Sequence, residues 1–465
     1  MRKKLIPAMI TAVTVAQLSV VNVLAAPEEL PEVSPEMTEE GYFTAGREEA
    51  DQVLLDAAAI QAINARIAST KECCMNDLEN EKPYTDGLAL NQVLYQQAVE
   101  DLTGFINKGY FNMYGERLSA EEAAAMAGNV INPNASEQQY IHYGICTTFT
   151  DLRVLPTEYL ITDDPGDNDF DYLQNSNIRV NEPVVIRSVS ADGLYYLVDT
   201  SSCSGWALTS DIAVCADKAE WLDAWKIPSE NAIVVTEGRF CLEQSQTSPQ
   251  LSGLALTMGT VLRKADRSDY GTRIENRSAY YNYPVWIPVR TADGRYSKAL
   301  GLISMHHGVS EGYLPLTENN ILKVAYSMLG DTYGWGGMLS SMDCSLYVQN
   351  IYKCFGLELP RNTTWQSKMP VTGVDVSAYT PEMKEAVLDV CPPGTLLYFS
   401  GHAMMYLGQE NGNYYVISSV SSMMDASGTQ KLRVRGVVIN TLDTRRANGK
   451  TWLESIHTVL VPYLP

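Results

Sequence analysis

The spacing of apolar residues changes several times along this chain of 465 residues. Between residues 48 and 127 apolar side chains recur every three or four positions, which is the period of amphipathic helices. After Tyr140 they alternate with polar side chains in short runs, as in strands with one buried face. A helical period returns at Leu316, and strand patterns dominate again beyond Pro393. The pattern predicts a helical region, an all-β region and a final α+β domain.

The N-terminal region, residues 27–135, is predicted to be mainly helical. Two predicted helices occupy residues 50–69 and 90–106, and a third begins at Ser119, whose side chain is suited to cap it. The acidic, proline-containing residues 27–45 before them are predicted to form an extended arm.

Two small β-barrels account for the alternating region, at residues 140–216 and 229–312. In the first, two alternating runs meet at Asp192-Gly193, which is a strong hairpin signal. An Ala-Asp-Gly turn recurs at residues 292–294 in the second. The recurrence predicts that the two units share one fold.

The C-terminal domain, residues 316–465, is predicted to place helices before an antiparallel sheet. Thr317 is positioned to cap the first helix, and a second helix begins at Cys344 and stops at Gly356. The fold class is therefore multidomain, with a C-terminal domain of the α+β type.

The first 26 residues have the layout of a cleaved secretory signal, with basic residues, an apolar stretch and a small-residue cleavage site. An uncleaved anchor is the alternative. Cleavage would reduce the 34 basic side chains to 31 against 55 acidic ones, a net charge near −24. Such a surface repels nucleic acid and anionic membranes, and no later segment has the ~18 apolar residues of a membrane span. The mature chain is therefore predicted to be secreted, without stable membrane insertion and without a nucleic-acid partner.

Cys344 has an unusual position among the nine cysteines, because it opens a helix directly after Asp343. The N–H groups and the positive dipole end of a first helical turn favour the thiolate, and they can also face a developing oxyanion. A small buried hydrophobic side chain is the alternative interpretation, and it fits Cys354 well. Because the number of cysteines is odd, at least one thiol stays free or pairs between chains.

A cysteine nucleophile needs a base, and the chain offers five histidines. His402 is the candidate, since it begins a predicted strand of the same domain. The predicted turn at Asn411-Gly412 folds the following strand back beside it, which brings Ser418 or Ser419 within reach of the imidazole. No His-Glu-x-x-His or paired Cys-x-x-Cys motif is present, so no metal is predicted.

These residues resemble the NlpC / p-sixty family of bacterial cell-wall cysteine peptidases. Four blocks carry the resemblance in the family's order: LGDTYGWGG, MDCS, FGLELPRNTTWQ and PGTLLYFSGHAMMYLG. They cover residues 316–465 and imply a papain-like fold. The upstream segments TTFTDLRVLPTEY, SADGLYYLV, SGWAL and GYLPLTENNIL are similar to members with two bacterial SH3-type domains behind a helical region.

The resemblance implies that Cys344 is the nucleophile and His402 the general base of an acyl transfer that needs no cofactor. Many members of the family have a second histidine as the third catalytic residue, and this sequence has Ser418 there. A serine can accept the imidazole N–H but carries no charge, so it would hold the ring less firmly.

The resemblance also implies a substrate groove. Tyr333 would help to hold the oxyanion region, and Asp343 would bind a free peptide amine. The other matching groove positions are Trp335, Ser345, Arg361, Asn362 and Thr363. The implied substrates are peptidoglycan stem peptides or muropeptide fragments with a free L-Ala amine, cut between γ-D-glutamate and a diamino acid, for which meso-diaminopimelate is expected. The implied location is extracellular or at the cell wall, and a monomer is expected.

Two other functions are compatible with the sequence. The first is an N-acetylmuramoyl-L-alanine amidase of related fold with the same Cys/His chemistry, against which the TYGWGG and LPRNTT blocks favour the endopeptidase. The second is a wall-binding protein with an impaired catalytic domain. Ser418 favours that second reading, and the presence of both Cys344 and His402 opposes it.

Overall fold

A computed structural model describes residues 33–167, 169–425 and 427–463 of the chain. The predicted signal peptide, residues 1–26, lies outside the described residues. None of the helices in the described ranges has the length and apolar character that a membrane span requires.

In the described part of the chain, three α-helices precede the β-rich region: α1 (Ala57–Ser69), α2 (Gly87–Lys108) and α3 (Ala120–Asn129). The helix predicted from residue 50 begins later, at Ala57, because the side chain of Asp56 caps it by accepting the N–H of Ala59. Ser119 caps α3 as predicted, and Glu122 completes a capping box with it. Short strands accompany these helices: β1 (Tyr84–Thr85), β2 (Phe111–Asn112) and β3 (Gln139–Tyr140).

The helical region shares its buried clusters with the later domains. Ile63 and Ile67 of α1 are buried in the same hydrophobic cluster as the helices of the C-terminal domain. Ala98 and Leu102 of α2 instead pack with Trp206 of the first β unit. Helices α1 and α2 therefore pack with different domains, a division that their amphipathic pattern alone cannot specify.

Residues 33–50 also depart from the expected extended arm, because they lie against the C-terminal domain. The hydroxyl of Tyr42 donates to Glu410 at 2.5 Å, and the ring of Phe43 lies 5.4 Å from that of Tyr415. Arg47 forms an ion pair of 2.8 Å with Glu318. Because the segment is acidic overall, its sequence did not indicate that a few apolar side chains attach it to the C-terminal domain.

The first β unit contains a seven-stranded sheet in the order β11-β4-β8-β9-β10-β5-β7. Its β8-β9 hairpin turns at Asp192-Gly193 as predicted, and Gly193 has a φ of +74°. Its strands are β4 (His142–Cys146), β5 (Thr150–Arg153), β7 (Gln174–Ile178), β8 (Pro183–Val189), β9 (Tyr195–Asp199), β10 (Ser204–Leu208) and β11 (Ile212–Val214), with β6 (Ile161–Thr162) pairing with β2. A helix that the apolar pattern did not predict, α4 (Lys218–Trp225), follows this sheet and buries Trp221.

The second β unit has a five-stranded sheet in the order β19-β18-β15-β12-β20. Its long hairpin turns at residues 292–294, where Gly294 has a φ of +85°. The strands are β12 (Ala232–Val235), β13 (Arg239–Cys241), β14 (Ala255–Thr257), β15 (Val261–Lys264), β16 (Arg273–Ile274), β17 (Arg277–Ser278), β18 (Asn282–Arg290), β19 (Tyr296–Ser304) and β20 (Val309–Glu311). That this unit is a second SH3-type domain stays a prediction.

The C-terminal domain is α+β, as predicted. Its antiparallel sheet has the order β21-β26-β22-β23-β24-β25, and separate apolar clusters cover its two faces. The helices are α5 (Glu318–Tyr326), α6 (Cys344–Lys353), α7 (Thr363–Gln366), α8 (Pro381–Leu388) and α9 (Trp452–Ser455). The strands are β21 (Thr372–Asp375), β22 (Leu396–Phe399), β23 (His402–Glu410), β24 (Asn413–Met424), β25 (Lys431–Thr441) and β26 (Thr458–Val461). Helix α6 packs on β23 and β24, which brings its first residue close to the start of β23.

Candidate active site

The first residue of α6 and the first residue of β23 face the same cleft. Cys344 and His402 both line this cavity of about 260 Å³, together with Tyr333 and Trp335. All nine cysteines lie in the described residues and none forms a disulfide, so the thiol of Cys344 is free.

The thiol of Cys344 sits at a capped helix end. Asp343 is the N-cap residue, and its side chain accepts the N–H of Leu346. Cys344 is only 8% exposed, and burial, followed by the negative charge of Asp343, raises the pKa of its thiol to about 11. The hydroxyl of Thr363, 3.9 Å from the Sγ atom, and the backbone N–H of Ala403 oppose this rise. The thiol is therefore protonated at neutral pH, whereas the helix dipole alone would favour the thiolate.

The imidazole of His402 is neutral as well. Burial, followed by the positive charge of Arg446, lowers its pKa to about 3. Its Nε2 atom lies 3.1 Å from the hydroxyl oxygen of Ser418, which leaves Nδ1 to receive a proton. The rings of Phe399 and Trp452 lie 5.2 and 5.1 Å from the imidazole and limit its rotation. A neutral thiol and a neutral imidazole thus line the same cleft.

Ser418 is the serine that touches the imidazole. It is fully buried in β24, whereas the hydroxyl of Ser419 donates to the carbonyl of Met342 at 2.8 Å. Of the two serines that the hairpin brings near His402, Ser418 is therefore the one within hydrogen-bond distance of the imidazole, and its role as the orienting group stays a prediction.

Replacing Ser418 by alanine is expected to lower kcat by about one to two orders of magnitude. The hydroxyl holds Nε2 without charge, so its loss frees the ring while leaving nucleophile and base in place. The measurement is steady-state hydrolysis of a stem peptide, with Ser419→Ala as the control. A Ser418→Ala variant with wild-type kcat would assign the orienting role to another group.

Asp343 and Arg361 form a buried ion pair beneath the cleft. Nη2 of Arg361 lies 2.7 Å from Oδ2 of Asp343, and Nη1 donates to the hydroxyl of Ser345 at 3.0 Å. Burial disfavours the charged form of Asp343 and so tends to raise its pKa. Arg361 and the hydrogen bonds outweigh this effect and hold the pKa of the carboxyl below its usual value. These three predicted substrate-binding residues do not line the cleft, and the carboxylate of Asp343 is already neutralised by Arg361.

The other two predicted groove residues lie in the loop that begins α7. The side chain of Asn362 caps this helix by accepting the N–H of Trp365. Thr363 follows and approaches the sulfur of Cys344. The start of α7 therefore contacts the predicted nucleophile through Thr363.

The first β unit forms hydrogen bonds with the glycine-rich loop of the site and with Arg361. Gln174 donates to the carbonyl of Gly336 at 3.1 Å, and Nε of Arg361 donates to the hydroxyl of Ser176 at 2.8 Å. Gly336 has a φ of +59°, and a Cβ atom there would lie 2.7 Å from the side chain of Gln174. The glycines of the WGG segment are therefore required by the close approach of β7.

An aromatic residue of the first β unit completes one wall of the cleft. The ring of Phe170 lies 4.9 Å from that of Trp335 and 6.1 Å from that of Tyr333. Sequence reasoning missed Phe170, because a single aromatic at the end of an acidic loop has no periodic signal. It also missed Arg445 and Arg446, which line the cleft from the loop between β25 and α9, because a loop has no periodic pattern that places its side chains.

The chain matches known families in two places. Residues 162–207 match the SH3 domain (SH3b1 type), and residues 330–457 match the NlpC/P60 family. A comparison with curated protein sequences finds no match.

The chain is also similar to solved structures. One is a novel NlpC/P60 endopeptidase from Photobacterium damselae subsp. piscicida, with 16% identity, 91% of this chain and 97% of that chain covered, and a TM-score of 0.73. Another is an NlpC/P60 family protein from Bacillus cereus, with 16% identity, 70% and 100% covered, and a TM-score of 0.46. At this identity the first likeness shows a shared fold. Residues 330–457 are therefore an NlpC/P60 domain, and an SH3 domain of the SH3b1 type precedes it in the same chain.

Proposed function

We propose that this protein is a secreted cysteine endopeptidase of the bacterial cell wall. Its substrate is a peptidoglycan stem peptide, and the bond that it cuts joins γ-D-glutamate to the diamino acid. The observation that carries the proposal is the pairing of a free thiol and a neutral imidazole in one cleft of an NlpC/P60 domain.

The reaction begins with proton transfer from the thiol to His402. As the sulfur of Cys344 attacks the amide carbon, Nδ1 of the imidazole takes its proton, and Ser418 holds the opposite nitrogen. The developing oxyanion faces the N–H groups of the first turn of α6. Burial, more than any neighbouring charge, raises the pKa of Tyr333, so its hydroxyl remains a donor beside that oxyanion.

Breakdown of the intermediate reverses the proton flow. The imidazolium of His402 gives its proton to the leaving amine of the diamino acid, which leaves a thioester on Cys344. Water then attacks the thioester with His402 as base, and the γ-D-glutamyl product departs. Buried neutral groups suit this sequence, because charge develops only during the reaction and within reach of fixed dipoles.

The first β unit supports an amine-binding end to the groove. The side-chain amide of Gln174 links Gly336 to Asp151. It donates to the carbonyl of Gly336 and to Oδ1 of Asp151, the latter at 2.9 Å. The other carboxylate oxygen of Asp151 has no hydrogen-bond partner among the described residues. The backbone N–H of Gly336 itself donates to the carboxylate of Asp343 at 3.2 Å. We therefore assign the free ammonium of L-Ala to Asp151, with Asp343 fixing the loop between them.

A closed, amine-binding end predicts cleavage of stems whose L-Ala is already free of sugar. We expect the free tripeptide to yield the dipeptide L-Ala-γ-D-Glu at least tenfold faster than the sugar-linked tripeptide, because the latter has no ammonium for Asp151. Mass spectrometry of parallel digests measures both rates. Asp151→Asn should remove most of the difference, and Asp77→Asn, which changes a carboxylate far from the cleft, should preserve it.

The same digests separate the alternative functions. Release of L-Ala from the sugar would identify an amidase. A chain that binds the wall but cleaves neither substrate would be a binding protein with an impaired catalytic domain. Equal rates on the two tripeptides would contradict the closed groove and favour intact wall as the substrate.

A further inference from the structure

A bulge gives Arg435 of β25 an unusual backbone conformation. The strand pairing shifts between Val420 and Ser422 of β24, so Val434 and Arg435 together oppose Ser421. The φ of Arg435 is +52°, in the left-handed region that favours glycine. A larger residue in this region costs stability, and such residues cluster at functional sites. Arg435 is therefore a candidate for a role beyond strand pairing.

The backbone of Arg435 supports the glycine-rich loop of the cleft. Its carbonyl accepts the N–H of Tyr333 at 3.0 Å. Two residues further along β25, the carbonyl of Val437 accepts the N–H of Gly330 at 2.9 Å, and its N–H donates to the carbonyl of Asp331 at 2.9 Å. The segment that leads to Tyr333 is therefore attached to β25.

The side chain of Arg435 holds an acidic segment of the first β unit. Its Nη2 atom donates to both carboxylate oxygens of Asp167 at 2.6 Å, and its Nη1 atom lies 3.2 Å from Oδ2 of Asp169. The guanidinium also lies 5.1 Å over the ring of Phe170. Since the Arg435 and Asp167 side chains are only 18% and 16% exposed, water competes little with these contacts.

The two sets of contacts meet at the aromatic wall of the cleft. Phe170 comes from the first β unit and lies against Trp335 and Tyr333 of the C-terminal domain. Arg435 holds the first of these rings through its side chain and the last through its backbone. Arg435 is itself outside the described lining of the cleft.

We infer that Arg435 is a positioning residue, which fixes the aromatic wall of the cleft by holding Phe170 against Tyr333 and Trp335. The effect of this wall on substrate binding rests on the proposed function. The left-handed conformation of Arg435 has a reason in this arrangement, because it lets one residue contact both sides of the domain interface.

Arg433 provides a matched control. It lies on the same strand and reaches the same acidic segment, with its guanidinium 3.5 Å from Asp164 and 3.8 Å from Asp167. Its side chain is 60% exposed, and a surface pair of this kind contributes little to stability. Arg433→Gln therefore removes a neighbouring positive charge without removing the support of Phe170.

Arg435→Gly tests the inference by steady-state kinetics on a stem tripeptide. Glycine accepts the backbone conformation and keeps the carbonyl that holds Tyr333, so only the guanidinium is lost. We expect KM to rise about tenfold and kcat to stay within about threefold, because the nucleophile and base are not touched. A merely structural role would reduce the number of active molecules, which lowers kcat and leaves KM unchanged. Arg435→Asn, whose side chain also tolerates this conformation, repeats the test.

A double-mutant cycle with Phe170→Leu shows whether Arg435 acts through that ring. Phe170→Leu alone should raise KM, and adding Arg435→Gly should raise it no further. Arg433→Gln should retain the wild-type KM. An unchanged KM for both Arg435 variants, or additive effects of Arg435→Gly and Phe170→Leu, would overturn the inference.

Hydrogen exchange followed by mass spectrometry tests the same role without substrate. In Arg435→Gly the amides of residues 169–175 and 333–338 should exchange about tenfold faster than in the wild type, and in Arg433→Gln they should not. Unchanged exchange in residues 333–338 would overturn the inference. If the wild-type chain cleaves no stem peptide, the proposed function fails, and the exchange rates still decide whether Arg435 fixes the wall.

Discussion

Replacing Cys344 by alanine is expected to abolish hydrolysis of stem peptides, with a loss of about 10⁴-fold or more in kcat. The sulfur is the group that forms the covalent bond to the substrate, and no neighbouring side chain of the cleft can take over that step. Water alone would have to attack the amide, assisted only by the oxyanion donors and by binding. Release of dipeptide over time, measured by mass spectrometry, gives the rate.

Cys354 provides a matched control for this variant. It lies directly after α6 and is fully buried, and its sulfur contacts the carbonyls of Asn350 and Val235 at 3.4 and 3.5 Å. Cys354→Ala makes the same chemical change in the same part of the fold, but away from the cleft. We expect wild-type kcat with a small loss of stability. Hydrolysis by Cys344→Ala at the rate of Cys354→Ala would exclude the cysteine peptidase.

The sequence predicts elements well where local rules determine them. The cap at Thr317, the helix start after Asp343 and the turn at Asp192-Gly193 all follow from backbone chemistry within a few residues. The switches between helical and alternating patterns separate the α and β parts of the chain. These features depend on short-range physics, which the order of residues contains directly.

Contacts between domains are less predictable. The attachment of residues 33–50, the division of α1 and α2 between two cores and the helix α4 all depend on surfaces far apart in sequence. A pattern of apolar residues indicates that a face is buried, but it does not name the partner surface.

The same limit applies to the site. Cys344, His402 and Ser418 are predictable because a helix start, a strand start and a hairpin register determine where they lie. The wall made by Phe170 depends on how the first β unit docks. The ion-pair partner of Asp343 was not predictable either. Arg361 follows Asp343 by 18 residues and lies in a loop, where no regular spacing indicates which side chains meet.

Removing the charge of Arg361 is expected to have the largest effect on stability. The Arg361 and Asp343 side chains are 5% and 11% exposed, and their ion pair joins the capped end of α6 to the first β unit. Arg361→Met would leave a carboxylate buried without a cation. Breaking one partner of a buried pair costs about 3–5 kcal/mol, because the other charge has lost both water and its counter-ion. Denaturant unfolding measures the change in free energy.

A surface pair of the same type gives the scale for comparison. Lys264 and Glu311 pair on the second β unit, where their side chains are 42% and 55% exposed. Lys264→Met should cost less than about 1 kcal/mol, since water replaces the lost partner. A similar small loss for Arg361→Met would show that the buried pair is not needed for the docking of the two domains.

The double variant Arg361→Met with Asp343→Asn separates the charge from the packing. Asparagine retains an oxygen that can cap α6 and removes the uncompensated charge, so the double variant should be more stable than Arg361→Met alone. Its hydrolysis should remain low, because Ser176 and the N-cap would no longer be joined through one guanidinium. Recovered stability without recovered turnover would mean that Arg361 also positions the nucleophile. If both recover together, the pair acts on folding alone and the first β unit contributes to catalysis through the aromatic wall.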